Sequence, residues 1–364
     1  MSQGEPIRVA QVVGKMLGGG VEAVVMNYYR HIDRCKVQFD FLVDADSTLV
    51  PREEIESLGG RVFEIPPYQH VVEYQRELQR LFKQEGWKIV HSHINALSVF
   101  PLRAAKKAGV PVRIAHSHST SGKGEYAKNA LKAVLKTQSN RYPTHRFACS
   151  QFAGEWLFGK AEHFEVVYNA IDLDRFRFNA EARAQARADQ FAIGHVGRFT
   201  AQKNHAFLID VFAEVAKRRD DAVLLLVGTG EAGASVKALV DERGLTDRVK
   251  FLGQRSDVNR LYQAFDAFVL PSLYEGLCLV GVEAQVSGLP CLLSDAITRE
   301  VDVTGECKFL PIDSPAVWAD EIDSLLPYSY EGRLSISSGQ FADYNIELQG
   351  ERLTYKYLDL YSRN

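Results

Sequence analysis

Fourteen residues, Pro271-Ser272-Leu273-Tyr274-Glu275-Gly276-Leu277-Cys278-Leu279-Val280-Gly281-Val282-Glu283-Ala284, place two carboxylates eight positions apart around a glycine turn. The apolar run ending at Pro271 reads as a buried strand, and a helix is predicted to begin near Leu279. A helix start with free amides is an anion site suited to a diphosphate. Glu275 falls in the loop, where it accepts hydrogen bonds from sugar hydroxyls. Glu283 falls about one turn into the helix, on the face that points back toward the ligand. Taken alone, the pattern fits equally an ordinary loop–helix start with a capping acid. A second stretch, Gly194-His195-Val196-Gly197-Arg198-Phe199-Thr200-Ala201-Gln202-Lys203-Asn204, adds two cations five residues apart in a loop that follows a strand. Arg198 and Lys203 suit a diphosphate clamp through charge-assisted hydrogen bonds. A third strand ends in Val227-Gly228-Thr229-Gly230-Glu231, a glycine turn that suits close approach of a flat base or a sugar.

Histidines form a different constellation. His116-Ser117-His118-Ser119 ends one predicted strand, and His91-Ser92-His93 ends another. Ligands of α/β sheets gather at such carboxyl ends. The residues alone leave the two pairs as competing candidates, and a metal held by the four histidines lacks a supporting acidic cluster. Asp44, some two dozen residues past Gly18-Gly19-Gly20, has the spacing of a dinucleotide fold's ribose acid. The glycines lack that fold's GxGxxG spacing, which disfavours a dehydrogenase.

The elements that must position these residues alternate. Strands are predicted at 7–13, 39–43, 62–65, 89–93, 112–116, 146–149 and 165–168, with helices at 21–32, 71–84 and 96–108. After a charged, alanine-rich stretch at 174–189, read as the interdomain connection, strands resume at 191–196, 222–227, 249–252, 267–270 and 290–294. Strand–helix alternation implies parallel sheets with helices on both faces. The fold class expected is α/β: two Rossmann-like, doubly wound domains facing a cleft. One covers 1–173, joined by a C-terminal helix, 344–364, that crosses back to it; the other covers 174–343.

At 364 residues, 46% hydrophobic and 24% charged, the chain has the composition of a soluble two-domain protein. No apolar run reaches the roughly 18 residues of a membrane span. The start, Met1 to Pro6, shows no secretory pattern, so a cytoplasmic location is expected. Cys35, Cys149, Cys278, Cys291 and Cys307 form no CxxC pair, and buried thiols are expected rather than zinc or a disulfide framework. The net charge of −3 conceals a basic block: residues 103–146 carry ten Lys or Arg and one acid. Within it, Lys128, Lys132 and Lys136 share one helical stripe, which fits either an anionic membrane surface or a solvated face. Without a recognition motif or aromatic stacking pattern, nucleic acid is not an expected partner.

Taken together, the glycine loop, His116-Ser117-His118, Tyr168-Asn169-Ala170-Ile171-Asp172, the GRFxxQKN stretch, VGTGE and the spaced glutamates resemble family-four retaining glycosyltransferases of GT-B fold. The likeness spans nearly the whole chain and is nearest to bacterial capsule and exopolysaccharide transferases. It implies that Arg198 and Lys203 bind the donor phosphates and stabilise the departing nucleoside diphosphate. It implies that Glu283 holds the ribose and that Glu275 touches the donor sugar, as a catalytic group with His118. Gly19, Gly20, Gly197, Gly228, Gly230, Gly276, Leu277, Cys278, Leu279 and Val280 match the rest of the donor site. His116, Ser117 and Ser119 match the acceptor side. Cys278 departs from the family, where Gly, Pro or Ser is commoner, and a thiol there narrows the sugar pocket.

The implied reaction moves a hexose from a nucleotide-sugar, with UDP the favoured nucleotide, to a saccharide or lipid-linked saccharide with retention. It needs no metal, no other cofactor and no enzyme nucleophile, because the leaving phosphate helps deprotonate the acceptor. Two alternatives share the architecture: a nucleotide-sugar epimerase, and a non-catalytic nucleotide-sugar-binding subunit. Relatives that extend lipid-linked sugars favour a peripheral position at the inner membrane face.

Overall fold

The computed structural model describes residues 5–118, 134–186, 190–325, 333 and 338–364. The chain divides into two compact units, Met1–Ile171 with Asp343–Asn364, and Asp172–Ala342. In the first unit the elements run β1 (Ile7–Gly14), α1 (Gly20–His31), β2 (Val37–Asp44), α2 (Arg52–Ser57), β3 (Arg61–Ile65), α3 (Val71–Glu85), β4 (Ile89–Ser92), α4 (Val99–Ala108), β5 (Val112–Ser117), β6 (His145–Ala148), α5 (Gln151–Phe158) and β7 (Glu165–Val166). They form a seven-stranded sheet ordered β3-β2-β1-β4-β5-β6-β7, with every pairing parallel.

Strands covered on both faces must be apolar or have their polar groups paired: all eight residues of β2 are buried, and its Asp40 accepts from Arg8, Arg61 and Trp87. In α3 the buried residues Tyr74, Leu78, Leu81 and Phe82 fall on one helical stripe, and Gly86 ends the helix at φ 65°. The predicted helix over 96–108 is a 3-10 turn, Asn95–Ser98, that runs on into α4.

The second unit begins with α6 (Leu173–Phe176) and α7 (Ala180–Ala186), followed by β8 (Phe191–Val196), α8 (His205–Arg218), β9 (Ala222–Val227), α9 (Gly233–Glu242), β10 (Val249–Gly253), α10 (Val258–Ala264), β11 (Ala267–Leu270), α11 (Leu279–Val286), β12 (Cys291–Ser294), β13 (Lys308–Leu310) and α12 (Pro315–Ser324). Its sheet order is β10-β9-β8-β11-β12-β13, again with parallel pairings. One core cluster packs alternate strand residues, among them Ile193, Leu224, Leu226, Ala267 and Val269, with α8 and with Trp318 of α12, which is fully buried.

The charged stretch read as a connection belongs to this second unit. Arg183 of α7 donates to the carbonyls of Gln263, Ala264 and Phe265 and pairs with Asp266, while Asn179 N donates to Gln263 Oε1. The guanidinium of this stretch caps the end of α10.

The last helix, α13 (Ile346–Ser362), packs on α1, β2 and β4 of the first unit. Asn345 caps it by accepting from Glu347 N at 2.9 Å. Gly350 faces α1 so closely that a Cβ there would lie 2.8 Å from His31 O, which fixes a small residue at the contact.

Candidate active site

Both sheets reverse strand order once, between β1 and β4 and between β8 and β11. Such switch points open a crevice at the carboxyl ends of the strands. In the second unit the loops flanking that point are the two carrying Arg198–Lys203 and Glu275. They are tied to each other: Leu273 N donates to Gln202 O at 2.8 Å, and Gln202 Nε2 donates to Tyr274 O at 2.9 Å and to Glu275 Oε2 at 3.1 Å. Lys203 Nζ lies 2.6 Å from Glu275 Oε1, with side chains only 14% and 10% exposed. Burial alone would lower the Lys203 pKa, but the Glu275 carboxylate outweighs it and raises the value above the ordinary lysine range. Arg198 is exposed, its guanidinium without an ion pair among the described residues.

Glu283 stands on α11, half-buried, and accepts from Tyr262 Oη at 2.9 Å. Burial pushes its pKa up to about 7, against the pull of the Tyr262 hydrogen bond and of Arg175. Cys278 precedes α11 at the N-cap and offers no side-chain cap. Its thiol is buried and pushed up to about 12 by burial, with Glu275 adding to the effect, so it stays protonated and shapes the pocket sterically. Gly228 has φ +131°, and a Cβ there would lie 2.1 Å from Gly197 O; at Gly230 it would lie 2.5 Å from Phe199 O. The neighbour that demands glycine at both positions is therefore the protein's own 197–199 loop, not a ligand.

In the first unit, β4 and β5 pair with Ile89 opposite Val112, and β1 places Gln11 opposite His91. The two-residue period of a strand then turns Gln11, His91, His93 and His116 to one face, with His118 following just past β5. They form a buried cluster. His91 Nε2 lies 3.0 Å from His116 Nδ1, and His93 Nδ1 lies 2.9 Å from His118 Nε2. His93 Nε2 meets Gln11 Oε1 at 2.8 Å, and His91 Nδ1 meets Tyr357 Oη of α13 at 2.6 Å. Burial, reinforced by the neighbouring rings for the other three, pushes all four histidines down, His118 to about 4, so the cluster is neutral at pH 7.

Ring nitrogens of His91, His93 and His116 lie within 4.8 Å of one another, close enough to share a metal ion. Both nitrogens of His91 and of His93 are already hydrogen-bonded. A dication would break that network and find no carboxylate in the group to compensate it.

Two family descriptions match the chain: Glycosyl transferase 4-like domain over residues 19–170, and Glycosyl transferases group 1 over residues 190–327. EpsF of Bacillus subtilis (strain 168), a glycosyltransferase by name, is 40% identical over 332 residues, 86% of each chain. The UDP-Gal:alpha-D-GlcNAc-diphosphoundecaprenol alpha-1,3-galactosyltransferase of Escherichia coli is 31% identical over 68% of this chain and 67% of its own. The chain belongs to the group 1, GT4-like glycosyltransferases. Anabaena Alr3699/HepE, solved with UDP-glucose, superposes with a TM-score of 0.80 at 18% identity over 97% of this chain and 99% of its own. Sucrose-phosphate synthase from Thermosynechococcus elongatus gives 0.80 at 21% identity over 98% and 100%. These likenesses show the GT-B fold.

Within this glycosyltransferase the structure sorts the residues expected at the site. Arg198, Lys203, Glu275, Gly276, Leu277, Cys278, Leu279, Val280 and Glu283 all lie on the loops and helix beside the β8/β11 switch. His116 and His118 are brought together with both members of the competing pair. Ser117 leaves the group, because its side chain alternates to the opposite face and Ser117 Oγ donates to Ala153 O at 2.8 Å. Ser119, Lys128 and Lys132 lie outside the described residues.

Gly19 caps α1, and the Glu22 carboxylate accepts from Leu17 N at 3.0 Å and Gly19 N at 2.6 Å. The Gly19 amide of the expected phosphate loop is thus already occupied, as is that of Leu17 before the loop. The signal was present in sequence as a glutamate three residues after the cap. Gln202 could have been found from its place in the GRFxxQKN stretch. Tyr262, Gln11 and Tyr357 had no local signal. Among the cysteines, Cys149, Cys278 and Cys291 are buried as expected, whereas Cys35 is exposed and Cys307 half-buried. No described helix is long and apolar enough to cross a membrane.

Proposed function

We propose that this glycosyltransferase moves a hexose, with retention and without a metal, from a UDP-sugar to a saccharide or lipid-linked saccharide in cell-surface polysaccharide synthesis. The observation that carries the proposal is the Lys203–Glu275 pair set beside exposed Arg198 at the switch point of the second sheet. A lysine held charged in a half-dry loop offers a diphosphate a fixed cation in exchange for its carboxylate partner, and charge so placed stabilises negative charge that grows in a transition state. Glu275, released from Lys203 as phosphate takes its place, turns to sugar hydroxyls, and Glu283 with Tyr262 receives the ribose. The UDP complexes of Anabaena HepE and the UDP-Gal donor named for the Escherichia coli relative support the choice of nucleotide.

On this reading the acceptor is held by the first unit, with His118 beside the reacting centre. The lipid-linked acceptor named for that relative supports a peripheral position at the inner membrane face.

The test is product analysis. Protein freed of metals by chelation is incubated with UDP-glucose or UDP-galactose and candidate lipid-linked acceptors, and the new linkage is read by proton NMR. An α-linked product formed at full rate in chelator supports the proposal. A β-linked product, or turnover that returns only with divalent cation, refutes it.

A further inference from the structure

Gln11 joins the two histidine pairs through a single side-chain amide. Its Nε2 donates to Tyr357 Oη at 3.1 Å, and its Oε1 accepts from His93 Nε2 at 2.8 Å. Two hydrogen-bonded chains start there, and each can be followed proton by proton because a neutral imidazole has one donor and one acceptor.

Along the first chain, Tyr357 receives from Gln11 and so donates its own proton to His91 Nδ1, at 2.6 Å. His91 then carries its proton on Nε2 and donates to His116 Nδ1 at 3.0 Å. His116 is left with its proton on Nε2. Along the second chain, His93 donates from Nε2 to Gln11, so His93 Nδ1 accepts from His118 Nε2 at 2.9 Å. His118 is left with a bare lone pair on Nδ1. These chain ends, His116 Nε2 and His118 Nδ1, are buried and make no hydrogen bond of ordinary geometry among the described residues, although the Asn169 side chain stands beside His118.

We propose that Gln11 is a positioning residue whose amide oxygen sets the His118 tautomer through His93, as the Tyr357 hydroxyl sets that of His116 through His91, so that His118 presents an acceptor and His116 a donor. An amide turned end for end would put Nε2 against His93 and reverse the His93–His118 chain, so one residue governs a ring two hydrogen bonds away. The histidines are kept neutral by burial, the condition under which tautomers, not charges, carry the information. The consequence for catalysis rests on the reading that His118 lies beside the reacting centre: with Nδ1 bare, it accepts from a hydroxyl rather than donating to one.

The test labels the histidines with nitrogen-15 in the whole protein and reads ring tautomers from long-range proton–nitrogen correlations. In the wild type, His116 and His118 each show a single tautomer protonated on Nε2. Gln11→Leu removes the acceptor for His93 only, because Tyr357 still donates to His91. His118 then loses its single tautomer while His116 keeps it. Tyr357→Phe is the converse and removes only a hydroxyl: His116 loses its single tautomer and His118 keeps it. Unchanged His118 signals in Gln11→Leu, or equal disturbance of both rings in either variant, overturns the proposal. Turnover on the same samples separates it from the reading of His118. Loss of kcat at unchanged KM for the nucleotide-sugar joins the two, whereas a reversed His118 tautomer with unaltered turnover leaves the control by Gln11 standing and removes His118 from the reaction.

Discussion

The two polar clusters of this molecule solve opposite problems. In the second unit Lys203 and Glu275 stay charged although mostly buried, because each is the other's counter-ion. In the first unit Gln11, His91, His93, His116, His118 and Tyr357 are equally polar and more deeply buried, yet carry no net charge. A buried ion pair trades one partner readily for a stronger anion, since the charge must be matched by something. A neutral network has no such affinity for ions, and offers instead directions for protons. On the proposed reading, one cluster binds charge and the other orients a hydroxyl.

The largest expected effect tests the charged half. Lys203→Ala removes a preorganised cation from the leaving diphosphate and lowers turnover about 100- to 1000-fold, as loss of one transition-state donor does elsewhere. Steady-state assay with a circular dichroism check on folding reads it, and near-normal turnover contradicts the assignment.

Next comes the neutral half. Below pH 6.5 the unfolded histidines take up protons that the native cluster refuses until about pH 4 at His118. Stability is therefore full above pH 6.5 and falls as pH drops toward 4, by about 1.4 kcal/mol per unit for each such histidine. Urea unfolding across pH 4–7 measures this, and a flat profile would show that the rings are charged in the native state.

Gly228→Ala meets a carbonyl at 2.1 Å in a backbone conformation reserved for glycine, and destabilises the second unit by about 1–3 kcal/mol. Gly20→Ala, at a position with nothing within 4 Å, leaves thermal stability nearly unchanged. Equal shifts in the two variants would erase the distinction between a packed and an open glycine.

A smaller effect falls on pH dependence. Glu283, with its pKa raised to about 7, is partly protonated in the empty site, and it accepts from a pair of ribose hydroxyls with both oxygens only as a carboxylate. Nucleotide affinity accordingly rises with pH, by up to about tenfold per unit below 7 and levelling above it, and Glu283→Gln flattens the rise.

Much of the second unit was legible in the sequence because its chemistry lies on loops directly after strands. The β8 and β9 limits match the alternation read at 191–196 and 222–227, and α11 begins at Leu279 where the helix start was expected. β13 was missed: three residues with a lysine at the sheet's edge leave no alternation to read. The histidine pairs were visible, but not that they form one cluster, since that depends on strand register and on Tyr357, whose partner Gln11 is 346 residues away. Ser117 was misplaced for want of the simplest strand rule, that neighbours point to opposite faces. Charge and alanine content gave no sign that the segment read as the interdomain connection is bonded to α10 through Arg183.

The most direct measurement is calorimetric titration of UDP, GDP and ADP, in chelator, against the wild type and Glu283→Ala. The account predicts metal-independent binding of UDP that is lost in the variant. Binding of equal strength in Glu283→Ala, or no nucleotide binding by the wild type, would contradict the claim that the charged loops of the second unit hold the donor.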